Sequence, residues 1–130
     1  MAGLDRRALL RAGAAAAALP LVGSSVLAQS PPPQVGFVLL GEVGEYGWSH
    51  AHDAARRALK AELGDAVRVL SIPGVSEDSS AIPVIRDMAQ QGCELIFATA
   101  AGYSQQVGKV AAEFPHIRFE QCGGGVTAGN

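Results

Sequence analysis

The chain has 130 residues, a formal net charge of −2 from 10 Lys and Arg against 12 Asp and Glu, and a hydrophobic content of 48 %. Without a basic stripe it is not built for nucleic acid. Its length allows one modest core, a single domain or one lobe of something larger.

The first 28 residues read as a secretory signal peptide outside the fold. Asp5-Arg6-Arg7-Ala8-Leu9-Leu10-Arg11 is a basic head, Ala12 to Val22 is a largely apolar run, and Val26-Leu27-Ala28 offers small residues for a cut after Ala28. The run is too short and too weakly apolar to span a membrane. The arginine pair before Ala-Leu-Leu matches a twin-arginine signal, an ordinary secretory signal being the alternative. No cysteine stands near the cut to carry a lipid, so the expected product is soluble in the periplasm. Removal of this segment leaves 102 residues and takes the net charge to −4. Residues 29–33, with three consecutive prolines, are an extended leader.

Val35 to Leu40 is a near-continuous apolar run, the pattern of a strand buried on both faces of a parallel sheet. A glycine loop follows, Gly41-Glu-Val-Gly-Glu-Tyr-Gly47. A helix then begins, with Trp48, Ala51, Ala55, Ala58, Leu59 and Leu63 as its expected apolar stripe and Arg56, Arg57 and Lys60 on the other side. Gly64 sits where a C′ glycine ends it. Val67 to Ile72 is a second strand, stopped by Pro73.

After a polar loop, Ser80 is placed to cap a second helix with Pro83 in its first turn and Ile82, Ile85, Met88 and Ala89 facing inward. Gly92 ends it. Leu95 to Thr99 is a third strand. Val107, Val110, Ala111 and Phe114 mark a third helix that stops at Pro115, and Ile117 to Gln121 is a fourth strand. The pattern β-α-β-α-β-α-β is an α/β fold with a doubly wound parallel sheet. With strand order 2-1-3-4, the loops at Gly41–Trp48 and Ala100–Ser104 line the crevice at the topological switch point, where open α/β sheets bind ligands.

The loop chemistry points to a flat, neutral or hydrogen-bond-donating solute. Glu42 and Glu45 flank the only tryptophan, Trp48, whereas a phosphate cradle wants bare N–H groups and often a lysine. An aromatic in a first helical turn is also a common core residue, and Tyr103 could equally be surface. Gly-x-x-Gly-x-x-Gly is not the dinucleotide fingerprint. His50 and His52 point to different faces of a helix and make a poor metal pair. Ser49 lacks an orienting acid, so no nucleophile–base set is in place; neither a metal, a cofactor nor catalysis is expected. Cys93 and Cys122 fall at opposite ends of the sheet, about 15 Å apart at ~3.3 Å per residue, too far for a disulfide. Both are expected to be free.

Several stretches are similar to the BMP (basic membrane protein) family of solute-binding proteins. They are Val35-Gly-Phe-Val38, Gly41-x-x-Gly-Glu-x-Gly-Trp-Ser-x-Ala-His-Asp53, Gln91-Gly-Cys-Glu-Leu-Ile-Phe97, Gly102-Tyr103, Lys109-Val-Ala-Ala-x-Phe-Pro115 and Phe119-Glu120. The resemblance covers residues 34–130. It implies the N-terminal lobe of a type I periplasmic binding protein, a purine or nucleoside ligand and an ABC permease in the membrane as partner. By the same resemblance Trp48 matches the aromatic that stacks on the base. Glu45 stands where an aspartate is usual, Ser49 where a small polar residue is, and Gly102 and Tyr103 in a loop facing the ligand. The expected ligand-binding set is thus Glu42, Glu45, Tyr46, Trp48, Ser49, Gly102 and Tyr103. Ala101 stands where phenylalanine is common, Gln105 replaces an aspartate, and Gly125 with Val126 replaces a Tyr-Lys pair. The family has two lobes and this chain matches the first, so the lone lobe is expected to bind weakly or not at all. A small flavodoxin-like or Rossmann-like enzyme and a non-transport sensory or interaction domain are the rival readings.

Overall fold

The computed structural model describes residues 30–125, 127, 129 and 130. The expected signal peptide, its expected cut after Ala28 and position Val126 lie outside the described residues. Strands and helices alternate as β1 (Gln34–Val38), α1 (Trp48–Leu63), β2 (Arg68–Ile72), α2 (Ala81–Gln90), β3 (Cys93–Ala98), α3 (Ser104–Glu113) and β4 (Arg118–Gln121), with short 3-10 turns at Gly64–Ala66 and Ala101–Tyr103. All pairings are parallel and the order is β2-β1-β3-β4. This is the doubly wound α/β sheet expected from the alternating pattern.

The register is level at one end. Val38 pairs with both Ile72 and Ala98, and Ala98 pairs with Gln121. All four strands therefore finish together and deliver their loops to one edge.

Beneath that edge lies the core. α2 and α3 cover one face of the sheet, where Ile85, Met88 and Val110 are fully buried against Val38, Ile96 and Ala98. Gly36 lets α2 come close: a Cβ there would lie 3.1 Å from Met88 Cε and 3.2 Å from Cys93 Sγ. Phe37 and Phe97 stack on the other face with ring centroids 5.0 Å apart. Half-buried Val35, Leu95 and Phe97 border a hollow of about 430 Å³ beside Leu59 and Leu63 of α1. Cys93 and Cys122 are both free, and burial pushes each thiol pKa up.

Two local expectations fail. The expected apolar stripe of α1 is not its buried face: Trp48, Ala51, Ala55, Ala58 and Leu63 are exposed, and the residues turned inward are Ser49 and Asp53. A methyl side chain gains little by burial, so alanine spacing defines a face poorly. A buried carboxylate fits because Arg56 Nε (2.7 Å) and Arg57 Nε (3.1 Å), three and four residues on, neutralise Asp53. Ser80 likewise does not cap α2 with its side chain. Asp78 does the nearest equivalent, its Oδ1 accepting from Ser80 N–H at 2.8 Å; the Ser80 side chain, and then this backbone bond, hold its carboxyl below the usual pKa.

Candidate functional site: the crevice at the switch point

The site grows from the divergence of β1 and β3, whose following helices go to opposite faces. Thr99, just past β3, is fully buried and fixed twice: its N–H (3.1 Å) and its hydroxyl (2.8 Å) both donate to the Val38 carbonyl. Its own carbonyl then accepts from the indole N–H of Trp48, which bridges the two sides of the crevice. Gly47, at φ 98, lets the chain turn into α1 so that Trp48 occupies its first position. Although anchored, Trp48 stays 54 % exposed. An indole tied at its polar end and open on its ring can stack on a planar solute.

The rest of the glycine loop is held in shape by the start of α1. Ser49 is buried, and its hydroxyl oxygen accepts from Gly41 N–H at 3.1 Å. His50 Nδ1 lies 2.9 Å from the Gly44 carbonyl, which can only accept, so Nδ1 carries the proton. The His52 ring meets the Trp48 ring edge-on, with centroids 4.8 Å apart. Glu42, Glu45 and Tyr46 are exposed on the loop, Tyr46 at 86 %.

A second loop, Pro73–Ser80, joins the edge, and sequence reasoning gave it no role. Gly74 and Val75 donate backbone N–H groups to Gly41 (3.1 Å) and Leu39 (3.1 Å). Glu42 folds over Gly74, where a Cβ would lie 2.5 Å from its carboxylate. Glu77 reaches across to the loop after β3 and accepts from Gly102 N–H at 2.8 Å; the same carboxylate leaves no room for a Cβ at Gly102. An acid five residues past the end of β2, facing a glycine past β3, was the available signal, but its pairing needs the third dimension.

The expected residues therefore divide. Trp48, Glu42, Glu45, Tyr46 and Gly102 stand at the exposed edge. Ser49 and Tyr103 do not: Ser49 ties the loop, and Tyr103 is fully buried with its hydroxyl donating to the Val75 carbonyl at 2.6 Å. Burial pushes the Tyr103 phenol up to about 12, with Glu77 adding to the effect. Tyr103 pins the β2 and β3 loops together. Tyr103→Phe should strand the Val75 carbonyl and cost about 1–2 kcal/mol by urea unfolding, with ligand affinity unchanged. Because the phenol titrates higher in the folded chain than in the unfolded one, its share of stability is intact below pH 10 and disappears as pH rises towards about 12. The phenylalanine variant should lose that alkaline decline.

The loops of this edge, residues 41–47, 73–80, 99–103 and 122–125, contain acids but no lysine or arginine. Among the described residues Arg56, Arg57 and Arg86 are paired with carboxylates on the helices. The edge thus offers acceptors and a negative field, suited to N–H donors and hostile to anions. Among the described residues no three His, Cys, Asp or Glu side chains converge as a metal site would require.

Comparison with known proteins agrees with this fold. A family model described as Bmp, ABC transporter substrate-binding protein PnrA-like, matches residues 33–130. The purine-binding protein of Brucella abortus is 40 % identical over 97 residues, 75 % of this chain and 28 % of that protein. A Haloferax volcanii protein, provisionally named an ABC transporter glucose-binding protein, is 35 % identical over 95 residues, 68 % of this chain and 22 % of its own length. Among solved structures, an ABC transporter solute-binding protein from Conexibacter woesei superposes with a TM-score of 0.60 at 27 % identity, over 67 % of this chain and 28 % of the other. The chain spans about a quarter of the length of the curated relatives it matches.

Proposed function

We infer function from kinship: the chain belongs to the Bmp family of PnrA-like ABC transporter substrate-binding proteins. Such proteins work by binding a small molecule and passing it to a membrane permease. For this chain we propose that residues 34–130 form the N-terminal lobe of the binding domain, that the ligand is a purine base or nucleoside, and that the protein is exported with cleavage after Ala28. Its role is binding rather than catalysis.

One observation carries the ligand class. Trp48 is anchored through its indole N–H to Thr99 and still presents its ring at an edge of carboxylates without cations. Trp48 stacks on the base, and Glu45 with Glu42 accepts from ring or amino N–H groups. The purine-binding name of the Brucella abortus relative supports this choice.

Titration of adenine, adenosine, adenosine monophosphate and glucose against Trp48 fluorescence tests it. Adenine or adenosine should quench with saturation. The monophosphate should bind at least about tenfold more weakly, because its charge meets Glu42, Glu45 and Glu77 with no counterion. Saturable binding of glucose with no response to purines would overturn the ligand class and favour the sugar named for the Haloferax volcanii relative.

A further inference from the structure

We propose that His52 is a positioning residue for Trp48, the contact that fixes which face of the indole is offered to a ligand. This rests on the reading of Trp48 as the stacking platform. The bond from the indole N–H to the Thr99 carbonyl holds the ring at one point only. About that point the ring plane can still rock, the side chain being 54 % exposed. His52 lies one helical turn on, on the same face of α1 as Trp48. Its imidazole meets the indole at 61° with centroids 4.8 Å apart, within the preferred range for an edge contact between aromatic rings.

Two restraints, one at the polar end and one against the rings, define a plane where either alone would not. The edge contact engages the ring system while more than half of the side chain stays exposed. A ring already fixed in its bound orientation loses less freedom on capture. His50, two residues earlier, is engaged elsewhere, on the Gly44 carbonyl. The two histidines thus divide the work: one shapes the loop backbone and the other steadies the aromatic.

The test uses this chain, in which Trp48 is the only tryptophan. His52→Ala places a good helix former on a partly exposed helical position, and circular dichroism checks that the fold is kept. Trp48 fluorescence anisotropy should fall, acrylamide quenching should rise about twofold, and adenine affinity should drop roughly 2- to 10-fold. His52→Phe, which keeps an aromatic edge, should restore all three. Wild-type anisotropy and quenching in His52→Ala, or a phenylalanine variant as impaired as the alanine one, would overturn the assignment. If anisotropy and quenching respond as expected while adenine binds to none of the proteins, positioning stands, and the purine reading fails only if the complete two-lobed protein does not bind adenine either.

Discussion

Trp48→Ala should lower adenine affinity about 5- to 150-fold in a protein that binds it, measured by calorimetry because the variant has no tryptophan to follow. The range converts the roughly 1–3 kcal/mol that stacking a base on an aromatic contributes. The effect should be larger in affinity than in stability. Trp48 is 54 % exposed, so little packing is lost, while the carbonyl of buried Thr99 loses its indole partner at a cost of about 1 kcal/mol. Trp48→Phe separates the two parts of the assignment: it keeps a stacking ring and loses the N–H that anchors it to Thr99. Affinity between those of wild type and alanine is expected. An unchanged affinity in Trp48→Ala would remove the stacking role altogether, and with it the main argument for a planar ligand.

The second large effect lies below the site. Gly36→Val should destabilise the chain by about 3 kcal/mol, and Gly36→Ala by about 1 kcal/mol, in urea unfolding. Gly36 has an ordinary strand conformation, so backbone strain is not the reason; space is. Its missing side chain is where Met88 Cε and Cys93 Sγ sit, and Ile96 Cγ1 is 3.4 Å away. Methionine is flexible enough to yield to a methyl group. A valine brings two more carbons into a layer where Met88 and Ile96 are fully buried, and α2 must lift from the sheet to admit them. A Met88→Ala, Gly36→Val double variant should recover part of the loss, since the new bulk then fills the vacated volume. Equal stability of Gly36→Val and wild type would mean that α2 does not pack as closely as described.

The fold was legible because its signals are large. Val35 to Leu40 is too continuously apolar for a half-exposed strand, and the stops at Pro73, Gly92 and Pro115 punctuate the alternation. The crevice followed from the crossover rule and needed no side-chain detail. What escaped was whatever depends on small or bifunctional residues. The alanines of α1 looked like a buried face, while Ser49 and Asp53 look polar and are in fact the inward ones. Tyr103 was ambiguous for the opposite reason. A phenol serves equally as a wall for a ligand or as a core ring with one hydrogen bond, and only the position of the Val75 carbonyl decides between them. Glu77 was invisible because the loop Pro73–Ser80 carries the composition of any surface turn.

The level finish of the four strands separates two kinds of selective pressure. The residues proposed to meet the ligand lie above one plane, and those that form the core lie below it. Ala101 and Gln105 are exposed above it, so such positions can drift and retune the captured solute at little thermodynamic penalty. Tyr103 crosses the plane from below and is the residue least free to change with them. If the proposed site is right, a scaffold divided in this way can be turned from one solute to another by surface changes alone.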